Sequence, residues 1–347
     1  MIDTKKIQHN TETIVKLAKN VDIELIGVTK ATCGDRKVAD AMLKGGCVGI
    51  ADSRIRNIEK MKKEGIKTEF MQLRTPMFSE IEDVVKFSDI SLNTEMRIIK
   101  KLSEEALNQN KIHRIVLMVE MGDLREGIPI EDLSNIIKKT KDLEGINLYG
   151  IGMNLACFGG VVPTKEKIEK FCDIVKKIEK KHNIKFKMVS GGNSANIPFL
   201  LENKEKTRIN NLRIGEGILL GLETVHRTPI PDTYQDAFIL EAEIIEYKHK
   251  PSKPYGKITQ NAFGKKPEFK DIGTINRAII AIGKQDTIPK DLIPLDEDIK
   301  ILGSSSDHII LHVKNNQYRT GDKVRFKLRY GALVSLFTSK YVKKKYV

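Results

Sequence analysis

Short apolar runs alternate with amphipathic stretches along roughly the first 220 residues of the chain. The run from Ile23 to Val28 is β-branched and mostly apolar, which suits a strand buried on both faces of a parallel sheet. Similar runs follow at 47–51, 69–73, 90–93, 114–119, 147–153, 186–190 and 212–214. Between them the apolar positions recur at helical spacing, near 36–45, 53–64, after Ser79, up to about 107, near 131–141, at about 164–182 and after Ser194. A further helical stretch covers 10–20. Eight strands alternating with helices predict an α/β fold whose N-terminal part is a (β/α)8 TIM-type barrel. Past Thr228 the texture changes. Pro229 and Pro231 break the chain, and strand-like stretches with turns follow at 237–247, 272–282, 299–302, 308–313 and 323–328, with no long amphipathic helix. The pattern predicts a barrel over 1–228 and a mainly-β domain over 229–347.

Composition narrows the class. Hydrophobic residues make up 40% of the 347, enough for a packed core. No apolar run approaches a membrane span, and the opening MIDTKKIQHN lacks the apolar core of a signal peptide. Cys33, Cys47, Cys157 and Cys172 show no CxxC spacing, which suits reduced thiols in the cytoplasm and no metal site. The net charge of +14 raises the question of nucleic acid. The lysines are spread along helices among glutamates, aromatics are 6%, and there is no tryptophan for a stacking platform. Only Lys343-Lys344-Lys345 is a compact basic cluster, so the charge reads as a solvated surface, with neither nucleic acid nor membrane as partner.

Two features carry chemistry. The first strand ends on Lys30, and the carboxyl ends of barrel strands form the mouth where active sites are built. An amine that loses hydration there becomes a nucleophile toward an aldehyde cofactor, whereas a lysine that merely caps the strand stays in water. The loops after strands seven and eight, Ser190-Gly191-Gly192-Asn193-Ser194 and Arg213-Ile214-Gly215-Glu216-Gly217, are glycine-rich where barrels often bind phosphate. Ordinary strand-to-helix turns share that composition. A lysine opposite a phosphate cradle points to pyridoxal 5′-phosphate.

These residues resemble the alanine racemase family of fold type III pyridoxal-phosphate enzymes, and its ornithine racemase branch in particular. The opening Ile2–Asn10, the run Gly27-Val28-Thr29-Lys30, the loop Val119–Gly127, Asn193-Ser194-Ala195 and Arg213-Ile214-Gly215 carry the resemblance in the barrel. Lys253-Pro254-Tyr255-Gly256-Lys257 and Ser305-Ser306-Asp307 carry it more loosely beyond. The resemblance implies a racemase of amino acids, in a homodimer whose active sites are shared between subunits. Lys30 would hold the cofactor and act as one base, with Tyr255 of the partner subunit as the second. A phenol with an ordinary pKa of about 10 must be acidified for that role. From its own residues, Pro254-Tyr255-Gly256 is equally good turn chemistry. Asn154, Ser194, Arg213, Gly215, Glu216 and Tyr341 would contact the cofactor. Arg213 at the pyridine nitrogen would leave the ring a weaker electron sink than a carboxylate partner would. Glu216, three residues on, would donate its backbone N–H to the phosphate.

Arg125 would hold the substrate carboxylate with its fork, or else pair with Glu126. Ser306 and Asp307 stand at the family's substrate-side run. Cys33-Gly34-Asp35, Met118 and Ile282–Asp286 depart from the alanine racemase pattern around the substrate. Those departures weaken the case for alanine; the resemblance implies ornithine as the leading substrate, with alanine or another amino acid, or a non-catalytic pyridoxal-phosphate-binding protein, as the alternatives. A larger cationic side chain would need a carboxylate, for which Asp123, Asp286 and Asp307 are candidates.

Overall fold

A computed structural model describes all residues except Lys204, Pro267 and Asn316. The chain divides into two compact units, Thr4–Gln235 on one hand and Asp236–Val347 with Met1–Asp3 on the other.

In the first unit eight parallel strands close into a barrel in sequence order: β1 (Glu24–Val28), β2 (Gly49–Asp52), β3 (Glu69–Gln72), β4 (Ile90–Asn93), β5 (His113–Met118), β6 (Ile146–Gly152), β7 (Met188–Ser190) and β8 (Asn211–Ile214). Closure comes from β1 pairing with β8, Ile26 opposite Arg213. The helices are α1 (Thr4–Lys19), α2 (Arg36–Lys44), α3 (Ile55–Lys63), α4 (Ile81–Phe87), α5 (Met96–Asn108), α6 (Ile130–Lys141), α7 (Lys165–His182), α8 (Ile197–Glu202) and α9 (Glu216–Leu220). The predicted (β/α)8 barrel is the observed one. The first helix starts six residues earlier than the apolar spacing suggested, because polar Thr4–His9 still buries Ile7.

Local chemistry explains the boundaries. The long helix α7 starts at Thr164, whose hydroxyl accepts the Lys167 N–H at 3.4 Å, and stops at Asn183 in the left-handed region. It buries Ile168, Phe171, Cys172, Val175 and Ile178, a helical stripe, while Lys180, Lys181 and His182 occupy its last turn, where cations suit the dipole. Inside the barrel, Val28, Ala51, Met71, Leu92, Val116 and Met188 join one buried cluster drawn from six strands. Each of these side chains other than Ala51 contributes about 1.5–3 kcal/mol on leaving water. This cluster marks the inner face of the wall, and strand alternation fixes what each neighbouring residue faces.

The second unit holds β9 (Ile239–Pro251), β10 (Thr274–Ile280), β11 (Leu292–Pro294), β12 (Ile299–Ser304), β13 (Ile309–Val313) and β14 (Lys323–Leu328). They form an antiparallel sheet in the order β11-β14-β9-β10-β13-β12. Alternation along β14 buries Val324, Phe326 and Leu328 and exposes Lys323 and Arg325. The mainly-β reading holds, with one addition. The segment Tyr330–Thr338 forms a helix, α10, burying Ala332, Leu333 and Leu336. Its polar positions are too few to mark a helical face, so the apolar spacing did not separate it from a strand. Among the described residues no helix is long and apolar enough to cross a membrane.

Candidate active site at the barrel mouth

The turn after β1 is built to hold Lys30. Thr29 leaves the strand by donating its N–H to Ala51 at 3.0 Å. Residues Lys30–Thr32 make one 3-10 turn, closed by the Thr32 hydroxyl donating to the Thr29 carbonyl at 3.0 Å. Cys33 (φ 51°) and Gly34 (φ 60°) then reverse the chain through the left-handed region. At Gly34 a Cβ would stand 2.8 Å from that of Asn57, so the turn sits close against α3. Asp35 accepts the Val38 N–H at 3.1 Å and starts α2.

Lys30 presents surface at the mouth, yet the protein around its amine strips away enough water to lower its pKa. Burial is the largest cause. The cations Arg125 and Arg213 push the same way, and Cys157 and Asp52 oppose them.

Arg213 lies buried on the inner face of β8. Its guanidinium donates to the hydroxyl of Ser190 and, at 3.1 Å, to the carbonyl of Met153. Ser190 in turn donates to the Asn211 amide oxygen at 2.7 Å. Burial brings the Arg213 pKa down to about 10, which leaves it cationic at neutral pH. Asn154 follows Met153 at the end of β6. Its amide oxygen accepts from Asn193 at 3.2 Å, and its buried amide nitrogen has no partner among the described residues.

Asn193 also donates to the Leu155 carbonyl at 2.8 Å and to the Cys157 sulfur at 3.2 Å. It thereby ties the loop after β7 to the loop after β6. Gly192 (φ 122°) lies in the left-handed region between β7 and Asn193. Ser194 is buried, and its hydroxyl accepts the Gly217 N–H at 3.1 Å, linking the loops after β7 and β8. At Gly215 a Cβ would lie 3.1 Å from the Val28 side chain, so the chain there runs against β1. The Glu216 carboxylate pairs with Arg227. That leaves Arg213 as the charged side chain of this segment on the barrel's inner face.

Arg125 forms both arms of an ion pair with its neighbour Glu126, and its charge also reaches Lys30 and Arg213. Its loop is pinned by Asp123, which is 2% exposed. The Asp123 carboxylate accepts the N–H groups of Phe158 (2.9 Å), Cys157 (3.2 Å) and Val161 (3.3 Å). Burial alone would raise its pKa; the Phe158, Val161 and Cys157 donors outweigh that and hold it below the usual carboxylate range. Asp123 is therefore occupied with its loop.

The remaining sequence candidates belong to the second unit. Tyr255 is 90% exposed and Tyr341 80% exposed. The Tyr341 N–H donates to the Ser339 hydroxyl at 3.2 Å. Ser306 and Asp307 are exposed neighbours, the Ser306 hydroxyl donating to Asp307 at 2.8 Å. Asp286 is buried and accepts the Ser339 hydroxyl at 2.8 Å, a structural tie inside its own unit.

Two groups escaped the sequence reading. Cys157 acts on the charges of Lys30, Arg125 and Arg213 alike, and no spacing rule marks it. Asp52, fully buried at the end of β2, ends an apolar strand as Lys30 does, and that pattern was a usable signal.

The mouth thus defines a barrel protein with a partly desolvated amine facing two arginines and two glycine-bearing loops. Residues 2–222 match the alanine racemase N-terminal domain family, and the chain belongs to the alanine racemase family. It is 41% identical over 346 residues to an ornithine racemase of Acetoanaerobium sticklandii, covering 99% of this chain and 98% of that one. It is 40% identical over 348 residues to a lysine racemase of Thermotoga maritima, covering 100% and 97%. Among solved structures it shares its fold with alanine racemase from Streptomyces lavendulae, at a TM-score of 0.80 and 15% identity over 100% of this chain and 96% of that one.

Proposed function

We infer that this protein is a pyridoxal-phosphate-dependent amino-acid racemase that interconverts L- and D-ornithine. The observation that carries the reading is the partly desolvated Lys30 amine at the end of β1, in charge range of Arg213 and Arg125. The full-length similarity to racemases named for ornithine and lysine supports a substrate with a cationic side chain. Lysine is the second reading, because the two relatives are matched almost equally.

The residues at the mouth fit the cofactor. The orphaned amide nitrogen of Asn154 offers a donor to an oxygen on its ring. Ser194, Gly215 and the backbone N–H of Glu216 lie on the two loops that would receive its phosphate, and Tyr341 would add a phenol contact. Arg213, fixed by Ser190 and Met153, would face the ring nitrogen as a donor that keeps its proton. When bound, pyridoxal phosphate supplies an electron-withdrawing ring that acidifies the Cα–H of an attached amino acid.

The chain's own groups then do the rest. Arg125 turns from Glu126 to the substrate α-carboxylate, a trade of one bidentate carboxylate for another. Lys30 Nζ takes a proton from Cα on one face, and Tyr255 Oη of the partner subunit returns one on the other. The reverse direction exchanges these roles. A lowered amine pKa suits Lys30 for this, because a base must be neutral at working pH. Ser306 and Asp307 line the substrate side, with the protein acting as a cytoplasmic homodimer.

The test is incubation with L-ornithine and pyridoxal phosphate in D2O, followed by chiral separation and mass analysis. Wild type should yield D-ornithine with one deuterium at Cα, and Lys30→Ala should yield none. Absence of exchange in loaded wild type with ornithine, lysine and alanine would sink the racemase reading.

A further inference from the structure

The loop after β5 is closed at its base. Val119 and Ile128 form a bridge, the Glu120 N–H donates to the Ile128 carbonyl at 2.9 Å, and the Ile128 N–H donates to the Met118 carbonyl at 2.8 Å. Three carboxylates lie on this loop. Two of them hold backbone: Asp123 accepts N–H groups from the loop after β6, and Glu120 accepts those of Gly122 and, at 3.2 Å, Leu124. The third, Glu126, is held differently. Both its oxygens pair with the fork of Arg125, and among the described residues Arg125 is its partner. The pair is partly exposed at the mouth, where the Glu126 charge is felt at Arg213.

A carboxylate held by one cation is stranded when that cation is taken. Arg125 would do this to Glu126 on turning to a substrate carboxylate, while the amide donors of Glu120 and Asp123 stay in place. Alanine would leave Glu126 without a cation. An amino acid that ends in an ammonium brings a replacement. In ornithine the ammonium lies about 5 Å from Cα when extended, enough to meet a carboxylate that has swung aside by one rotamer. The other carboxylates considered for this role are differently placed. Asp286 accepts from Ser339, and Asp307 accepts from Ser306 and lies 3.2 Å from His308 Nδ1. Neither is paired with a group that a substrate carboxylate would remove.

We propose that Glu126 is the specificity-determining residue for a cationic side chain: the substrate carboxylate displaces it from Arg125, and the released carboxylate takes the terminal ammonium of ornithine or lysine. This role rests on the racemase reading, in which Arg125 takes the substrate carboxylate. One ion pair becomes two, and selection lies in the carboxylate that a neutral substrate would strand.

The test compares L-ornithine with L-norvaline, the same carbon chain without the terminal amine, by titration calorimetry on the protein loaded with pyridoxal phosphate. Enantiomers have equal enthalpy in water, so turnover itself adds no heat. Wild type should bind ornithine about tenfold more tightly, the effect of one partly exposed charge-assisted hydrogen bond. Glu126→Gln should bring the ratio to about one, with norvaline bound at least as well as by wild type, because Arg125 is then held only by a neutral amide. Glu126→Asp keeps the charge with a shorter reach and should give a ratio in between. If Glu126 merely holds Arg125 in place, both ligands weaken together and the ratio stays. An unchanged ratio in Glu126→Gln therefore overturns the proposal, as does an unchanged ratio in Glu126→Asp should the glutamine variant not fold. A wild type without preference overturns it too. The racemase reading fails separately: wild type that selects ornithine through Glu126 but exchanges no Cα hydrogen in D2O would keep the binding role and lose the reaction.

Discussion

Replacing Asp123 with alanine should loosen the loop after β6 without unfolding the barrel. The carboxylate accepts three backbone N–H groups, from Cys157, Phe158 and Val161, and lies almost out of reach of water. A hydrogen bond to a charged group is worth about 1.5–3 kcal/mol, and donors left without an acceptor lose desolvation energy as well. The three share one acceptor, and water will recover part of the loss in an opened loop. The net cost to closing the loop should then be about 3 kcal/mol, or about a hundredfold in its opening equilibrium. Amide hydrogen exchange read by mass spectrometry on peptides spanning 155–163 measures this directly. Exchange of the Phe158 and Val161 amides should speed up about a hundredfold, while peptides from β1 to β4 stay unchanged. Asp123→Asn keeps one oxygen acceptor and should give an intermediate rate. The pH dependence has a defined sign. The folded carboxyl sits below the ordinary value, so the wild-type advantage over Asp123→Asn is complete above about pH 4 and vanishes as pH falls through the folded value. Exchange in Asp123→Ala within about twofold of wild type would refute the claim that this carboxylate holds the loop.

Two further outcomes follow from other parts of the molecule. His113 is buried against Ser91 at 2.8 Å, and burial, with Arg114 and Lys111 nearby, pulls its pKa down to about 4. An unfolded histidine protonates near pH 6.5, so stability should fall as pH drops below that and level off below about 4, by about 3 kcal/mol in all; urea titrations of wild type and His113→Asn should show the variant losing this portion of the slope. If Tyr255 works in the partner's site, reassociating equal amounts of inactive Lys30→Ala and Tyr255→Phe proteins should restore about a quarter of wild-type activity, since half the dimers carry one intact site; no recovery in confirmed mixed dimers would place the tyrosine in its own subunit's site.

The barrel was legible because each wall strand is a short apolar run and each helix a stripe such as Ile168–Phe171–Val175. Pattern and packing obey one rule there. Lys30 and Arg213 stood out because charges that end or interrupt such strands must face either solvent or a mouth. What a sequence does not carry is the set of neighbours. Asp123 and Asp286 read as free carboxylates until their donors, backbone amides and Ser339, were in place. Arg125 and Glu126 were readable as a pair, but the reach of Arg125 to Lys30 depends on how the loop after β5 folds back. Cys157 is one of four cysteines without a motif, and its place beside Asn193 arises from loops 36 residues apart. The helix α10 was missed for a different reason: with few polar positions, helix and strand leave the same mark on an apolar run.

The central claim is that the Lys30 amine is the group that takes up pyridoxal phosphate. The direct measurement is borohydride reduction of the protein incubated with stoichiometric cofactor, followed by peptide mapping. One stably labelled site, Lys30, is expected, with no label at that site in Lys30→Ala. Label on a different lysine, or none at all in folded wild type, would contradict it.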